Sequence, residues 1–166
     1  MAVLERISRS NIWTFKKLRL RALRDSPMAF ASTYHQECQL RDLDWLVRAD
    51  QLDDGRSIGL IAVESDVACG MVRGATDDVD ATVGWVESMW VAPTHRKVGV
   101  GGQLILAIVE WAHTRNLRML KLEVTSNNQR AIRLYERLGF SPTGKTAPYP
   151  HDSTLTENEM SRDLLV

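Results

Sequence analysis

Apolar residues recur along the chain with two different periods, and the changes of period predict where helices and strands alternate. An apolar stripe at helical spacing predicts a first helix over residues 10–24, capped by Ser10 or Asn11. A second helix is predicted over residues 35–49. The apolar residues expected to face inward from it are Cys38, Leu43, Leu46 and Val47.

Three runs rich in β-branched residues follow, and each has the length of a strand. They cover Ser57–Glu64, Val67–Ala75 and Thr82–Val91. The first two are separated only by the turn Ser65-Asp66, which is a hairpin spacing. We therefore expect an antiparallel meander of three strands.

The second half of the chain alternates helices and strands. The predicted elements are a helix over Gly101–Arg115, a strand over Leu117–Val124, a helix over Asn128–Leu138 closed by Gly139, and two strands, one from Phe140 onward and one over Glu159–Leu165. The helix after Val91 acts as a crossover, so the strands on its two sides should be parallel. The sequence predicts one mixed α/β (α+β) domain over residues 1–166.

Composition is that of an ordinary globular protein, with 166 residues of which 44% are hydrophobic and 25% charged. No apolar run is long enough to span a bilayer, and the N-terminus lacks the apolar region of a signal peptide, so we expect a cytoplasmic protein. Neither a membrane nor a nucleic acid is an expected partner. Cys38 and Cys69 are predicted to be buried thiols, and the four histidines share no metal-ligand spacing, so no metal is expected.

Charge is unevenly distributed although the net charge is zero. Residues 25–90 contain 13 acidic and four basic residues, whereas residues 91–140 contain eight basic and three acidic residues. Solvated loops and helix faces would explain this pattern. A polyanionic cofactor bound to the basic part and a cationic acceptor near the acidic part would also explain it.

A glycine-rich turn, Arg96-x-x-Gly99-x-Gly101-Gly102, lies between a strand and a helix. Such a turn presents free backbone N–H groups at the positive end of the helix dipole, which suits a pyrophosphate. A plain strand-to-helix turn is the simpler alternative. A Rossmann fingerprint is a poor match because Leu104 stands where its third glycine is needed, and no Gly-Lys-Ser/Thr of a P-loop follows.

Two motifs together resemble one known family. Val91-x-Pro93-x-x-Arg96-x-x-Gly99-x-Gly101 resembles the acetyl-CoA pyrophosphate signature of the GCN5-related N-acetyltransferases (GNAT). Residues 122–140, with Asn128 and Tyr135, resemble the second half of that family's core, and look most similar to the bacterial ribosomal-protein N-terminal alanine acetyltransferases. The resemblance implies a mixed, mostly antiparallel sheet with a central splayed parallel strand pair, flanked by helices.

The same resemblance implies the activity and the cofactor. An acetyl group would pass from acetyl-CoA to a primary amine, on a small molecule or a peptide or protein N-terminus, by direct attack in a ternary complex. The backbone N–H groups of residues 98–102 would bind the pyrophosphate, and residues 89–91 would pair with pantetheine along a strand splayed by a bulge. The implied cofactor-binding residues are Met89, Trp90, Val91, Arg96, Lys97, Val98, Gly99, Val100, Gly101, Gly102 and Asn128.

Three residues are candidates for proton transfer. In the family, the tyrosine that matches Tyr135 protonates the leaving thiolate, and a phenol suits this role because it stays protonated at neutral pH. Glu123 and Glu87, on the neighbouring splayed strands, are alternative general bases. Structural roles remain open for all three, as a packed tyrosine and as surface carboxylates, and Asn128 would also serve as a helix cap.

Two other functions remain open at this point. One is a CoA-binding or regulatory module without activity, and the other is a domain that binds a nucleotide other than CoA. The acceptor would be set by residues 25–55, 77–80 and 148–151. The acidic bias of the first two segments favours a cationic amine. A homodimer is expected only because homodimers are the most common oligomers of soluble proteins.

Overall fold

A computed structural model of the chain describes residues 1–165 and places seven strands in one mixed sheet, in the order β1-β2-β3-β4-β5-β7-β6. The strands are β1 (Val3–Arg6), β2 (Ser57–Glu64), β3 (Val67–Thr76), β4 (Val83–Val91), β5 (Met119–Thr125), β6 (Ser141–Tyr149) and β7 (Asp152–Asp163). The helices are α1 (Ile12–Asp25), α2 (Tyr34–Glu37), α3 (Asp42–Gln51), α4 (Val100–Thr114) and α5 (Gln129–Arg137). The predicted mixed and mostly antiparallel sheet, flanked by helices, is confirmed.

The predicted meander is confirmed, since β2 pairs antiparallel with β3 and β3 with β4. Ser65 and Asp66 both have left-handed backbones, with φ of 50° and 62°. Two left-handed residues in a two-residue hairpin loop give the turn whose twist matches that of the flanking strands.

The crossover helix α4 makes β4 and β5 parallel, but the two strands pair only over a short stretch. Val83, Gly84 and Trp85 pair with residues 119–121, and the register ends there. Ser88 has a φ of 54°, and the β3–β4 register shifts between Met71 and Arg73. This bulge turns the C-terminal half of β4 away from β5, because an extra residue bends a strand. The predicted splay is therefore present.

The core lies between the sheet and the apolar faces of α1 and α4. The predicted stripe of α1 is buried, and Ile12 and Ala22 are fully inaccessible. On α4 the residues Leu104, Ile105 and Ile108 are fully buried against the sheet. Both helices show the apolar spacing that their sequences predict.

The single helix predicted over residues 35–49 is wrong, since this segment forms α2 and α3 with a break between them. Trp45 and Ala49 face the core, whereas Leu43 and Val47 are 58% and 44% exposed. Trp45 sets the phase because burying the largest apolar side chain yields the most free energy.

Cys38 is exposed, in contrast to the prediction, and Cys69 is buried as predicted. The buried side chain at the end of α2 is that of Glu37, which accepts hydrogen bonds from Arg19 and Arg48. Because a buried carboxylate needs such partners, this ion cluster fixes the orientation of α2 and turns Cys38 outward.

Two strands differ from their predictions. The strand β1 was not predicted, since three of its four residues are exposed and two are charged. The last strand begins at Asp152, seven residues before the predicted start at Glu159, because its first half pairs with the exposed strand β6 and carries no apolar alternation. In both cases the residues form a strand because their backbones pair with a neighbouring strand, although their side chains are not buried in the core.

No helix within residues 1–165 combines the length and apolar character needed to cross a membrane.

Candidate active site

A cleft of about 530 Å³ opens where β4 and β5 separate. It brings together all but two of the residues predicted to form the site. Those that line it are Glu87, Met89, Trp90, Val91, Arg96, Lys97, Gly99, Gly101, Gly102, Glu123, Asn128 and Tyr135. The side chains of the other two lie elsewhere, since Val98 is 69% exposed and Val100 is buried in the core.

The glycine-rich turn ends in a cradle of unpaired donors. Within residues 1–165, the backbone N–H groups of residues 97–102 have no acceptor, and the first helical bond of α4 runs from Gln103 N to Gly99 O at 3.0 Å. Lys97 and Gly99 have left-handed backbones, with φ of 68° and 95°. A Cβ at Gly102 would meet no protein atom within 4 Å, so the space beside it is open to a ligand. Free N–H groups at a helix N-terminus suit a phosphate group.

Arg96 anchors this turn to the rest of the protein. Its Nη2 donates to Asp25 Oδ2 at 2.7 Å, and its Nε donates to the Val91 carbonyl at 2.8 Å. Hydrogen bonds from Ser26, Trp90 and Arg96 lower the pKa of Asp25, and that of Ser26 has the largest effect. In the structure, Arg96 therefore orders the turn.

The C-terminal half of β4 offers its backbone to the cleft. The Trp90 side chain is only 4% exposed, and its Nε1 donates to Asp25 Oδ2 at 3.0 Å. The residue therefore contributes main-chain atoms to the cleft. Strand β5 does not pair with this part of β4. The N–H and C=O groups of β4 that point toward the gap could therefore hydrogen-bond to an extended ligand, which would lie there as an added strand.

Helix α5 supplies the two side chains predicted on the opposite wall. Asn128 Oδ1 accepts from Ala131 N at 3.2 Å, so the predicted cap is present. Tyr135 lies two turns further and packs edge-on against Phe140, with 6.0 Å between ring centroids. Burial raises the pKa of Tyr135 to about 12. The phenol therefore keeps its proton at neutral pH.

Glu87 and Glu123 lie where the cleft meets a second cavity of about 510 Å³, which both residues also line. Glu87 forms an ion pair with Arg73, whose Nη2 also donates to Ser57 Oγ at 3.2 Å. Glu123 is exposed on β5 and has no cationic partner in the part of the chain that the structure describes. The two predicted bases are thus in different electrostatic surroundings.

Glu157 is a site residue that the sequence did not indicate. It lies on β7, opposite Thr125 of β5, and lines the same cleft as Glu123. Burial, followed by the hydrogen bond and the charge of Glu123, raises the pKa of Glu157 to about 7. The prediction missed it because the last strand was expected to start at Glu159. The alternation of Glu157 with Glu159 was the signal available.

The acidic turn is largely explained by its own folding. Asp77 accepts from the N–H groups of Val79 and Asp80 and from Trp85 Nε1. Asp80 pairs with Arg118 at 3.0 Å, and Asp78 pairs with Arg56 at 3.3 Å. The structural interpretation of this turn is therefore supported. Among residues 1–165 there is no group of three or more His, Cys, Asp or Glu side chains that could hold a metal ion.

Comparison with known proteins agrees with this geometry. The profile of the Acetyltransferase (GNAT) family matches residues 20–140, and the chain belongs to this family. A streptothricin acetyltransferase of Streptomyces lavendulae is 36% identical over 74 residues, which cover 45% of this chain and 39% of that protein. The chain thus spans well under half of that relative.

A second relative is matched over more of its length. An aminoglycoside N(6')-acetyltransferase type 1 of Salmonella typhimurium is 25% identical over 119 residues, covering 68% of this chain and 79% of that protein. Among solved structures, that of YncA from Salmonella typhimurium with its cofactor acetyl-CoA has a TM-score of 0.81 at 17% identity, covering 99% of this chain and 94% of that one. At this identity the structural match concerns the fold.

Proposed function

We propose that the protein transfers the acetyl group of acetyl-CoA to a primary amine. The observation that carries the proposal is the arrangement of the cleft in a chain of the GNAT family. A cradle of free N–H groups, the unpaired half of β4 and the buried phenol of Tyr135 all face one opening between two splayed strands.

Residues 97–102 and Asn128 would hold the cofactor. The open space at Gly99 and Gly102 lets phosphate oxygens approach the backbone, which a Cβ would obstruct. Pantetheine would lie along Met89 and Trp90, since the Val91 carbonyl already accepts from Arg96. When bound, acetyl-CoA supplies an activated thioester as the acetyl donor.

The residues of the cleft then have separate tasks. A backbone N–H of residues 89–91 would polarise the thioester carbonyl and stabilise the oxyanion formed on attack. A carboxylate at the far side would accept a proton from the incoming ammonium, because only the free amine is a nucleophile. Tyr135 would donate its proton to the leaving thiolate. Cys38 and Cys69 do not line the cleft, so direct attack by the amine is the pathway we propose.

A cationic amine is the acceptor we propose. Two relatives carry the names of streptothricin and aminoglycoside acetyltransferases. Residues 25–90 of this chain have 13 acidic and four basic side chains, although two of the three acids of the 77–80 turn are already ion-paired. An N-terminal alanine acceptor, a homodimer and a cytoplasmic location remain predictions.

The direct test is incubation with acetyl-CoA and a panel of amines, followed by mass spectrometry. The panel should contain polyamines, an aminoglycoside, peptides with a basic sequence after an N-terminal alanine, and acidic peptides as the contrasting class. A mass increase of one acetyl group on a cationic amine is the expected result. Saturable CoA binding without transfer to any amine would instead indicate an inactive module, and no CoA binding would refute the cofactor assignment.

A further inference from the structure

Two carboxylates from neighbouring strands meet in the cleft. Strand β5 pairs antiparallel with β7, with Glu123 opposite Glu159 and Thr125 opposite Glu157. Glu123 and Glu157 are therefore diagonal neighbours on one face of the sheet, within hydrogen-bonding reach of each other. Both line the cleft that holds Tyr135.

Neither of these two carboxylates has a cationic partner within residues 1–165, although the acids around them do. Glu159, the next residue on the same face of β7, is 3.6 Å from Lys121 Nζ and accepts from Thr143. Glu87 across the cleft is paired with Arg73. Two neighbouring carboxylates without a cation repel each other, so the pair binds its first proton more readily than a single exposed carboxylate does.

We propose that Glu123 and Glu157 form a proton-sharing pair and that this pair is the proton acceptor for the attacking amine. The inference rests on the proposed function for its substrate, but the pair itself is a property of the free protein. The proposal adds Glu157 to the catalytic residues. Of the two bases that the sequence suggested, it selects Glu123 and not Glu87. The Arg73 contact of Glu87 then serves to fix β4 at its bulge.

The protons balance in the following way. The doubly ionised pair takes one proton from the acceptor ammonium, R–NH₃⁺, and holds it between the two carboxylates. The freed nitrogen lone pair forms the C–N bond with the thioester carbonyl carbon, and the C–S bond then breaks. Tyr135 protonates the thiolate sulfur and regains a proton as the new amide nitrogen loses its second one. The pair releases its proton to solvent through the open cleft.

The surroundings of the pair favour release of its proton near neutral pH. The charged and titratable groups that share the cleft or the adjoining strands with the pair are Lys121 of β5, Glu159 of β7, Arg73 of β3, Glu87 of β4, Tyr149 of β6, Tyr135, Arg130, Arg133 and Arg137 of α5, and Arg96 and Lys97 of the glycine-rich turn. None of the basic groups among them is ion-paired to Glu123 or Glu157. Burial and the Glu123 carboxyl together place the pKa of Glu157 at about 7.

The first experiment is the pH profile of kcat/KM for wild type and Glu157→Gln. Wild type should lose activity as the pH falls through about 7, because the pair is then protonated. Glu157→Gln leaves Glu123 as a single carboxylate, so the acid limb should move down by more than about one pH unit, and the plateau rate should fall about tenfold because a weaker base remains. An unchanged acid limb would overturn the proposal.

A matched control removes a different pair from the same face. The double substitution Lys121→Met with Glu159→Gln deletes an ion pair next to Glu123 without changing the net charge. It should leave the acid limb in place. A shift as large as that of Glu157→Gln would show that any change on this face moves the profile, and would also overturn the proposal.

A second measurement does not require activity. The side-chain carboxyl ¹³C resonances of uniformly labelled protein, followed by NMR from pH 3 to 9, should show one glutamate titrating near 7 in wild type. That titration should disappear in Glu157→Gln, move to lower pH in Glu123→Gln because burial of Glu157 remains, and stay in place in the double control. If no glutamate titrates near 7, the pair does not exist, whatever the activity is. If the titration is present but no amine is acetylated, the proposed function fails and the pair remains.

Discussion

The guanidinium of Arg96 donates a 2.7 Å hydrogen bond to the carboxylate of Asp25, and so joins the start of the glycine-rich turn to the end of α1. The same carboxylate accepts from Trp90 Nε1, whose backbone lies on the cleft. One carboxylate therefore holds together the turn and the strand that would contact the two ends of the cofactor arm.

Arg96→Ala should raise the KM for acetyl-CoA about tenfold with a small change in kcat, because a charge-assisted hydrogen bond that orders the turn is lost. Asp25→Asn should change KM in the same direction, by a smaller factor. Initial rates at varied acetyl-CoA measure both. If Arg96 instead binds the pyrophosphate directly, Asp25→Asn would release it and leave the KM unchanged or lower.

Gly102→Ala should separate stability from cofactor affinity. No protein atom lies within 4 Å of the added Cβ, and alanine favours a helix over glycine by about 0.5–1 kcal/mol. The variant should therefore melt slightly higher than wild type. Its Kd for CoA, measured by calorimetry, should rise about tenfold because the methyl group enters the space of the phosphate. Unchanged affinity would mean that the pyrophosphate does not approach Gly102.

Asn128 has two proposed roles that two substitutions can distinguish. Asn128→Ala removes the cap of α5 and should cost about 1 kcal/mol of unfolding free energy. Asn128→Ser retains a capping oxygen and should retain most of that stability. If the amide also contacts pantetheine, both variants should have a raised KM for acetyl-CoA. A normal KM in Asn128→Ser would restrict Asn128 to capping.

Tyr135→Phe should lower kcat about 100-fold, which is the usual contribution of a positioned general acid. The affinity for acetyl-CoA should stay nearly the same, since the ring still packs on Phe140. Single-turnover kinetics and CoA binding measure the two quantities separately. A normal kcat would show that the buried phenol only packs the wall of the cleft.

Glu157 should also make stability depend on pH. Its pKa is about 7 in the folded protein, above the value near 4.3 of an unfolded glutamate, so the folded state binds more protons between these two values. Unfolding free energy should therefore fall as the pH rises from about 4.5 to 7. Glu157→Gln should abolish this loss and be more stable than wild type at pH 8 by about 1 kcal/mol, a figure reduced by solvent screening. Urea unfolding at pH 5 and pH 8 tests this, and equal stabilities at pH 8 would contradict it.

The sequence was most informative where burial and special backbone geometry leave a residue pattern. The Ser65-Asp66 hairpin, the α4 stripe and the Gly99 turn all carry local signals, and the structure has each of them. The prediction of which face of α3 is buried was wrong. Burying Trp45 contributes more free energy than burying the two smaller residues Leu43 and Val47, and a count of apolar spacing does not take side-chain size into account. The segment was also divided by the buried ion cluster at Glu37, which depends on residues from three helices.

The candidate site also combines features that have a local sequence signal with features that depend on residues distant in sequence. Glu87 and Glu123 were expected near the cleft, but their different surroundings depend on Arg73 and Glu157, which reach them through strand register. A register between strands distant in sequence cannot be read from local spacing. For this reason the sequence indicated two equal bases, whereas the structure distinguishes them.

The short pairing of β4 with β5 divides the sheet into two parts joined by three residue pairs. A ligand lying in the gap would hydrogen-bond to one part through residues 89–91 and touch the other through α5. The free energy of ligand binding would then add to the free energy needed to separate the two parts of the sheet. Backbone amides of residues 86–91 should exchange with deuterated water faster than those of β2 in the free protein, and slow markedly once the cofactor fills the gap.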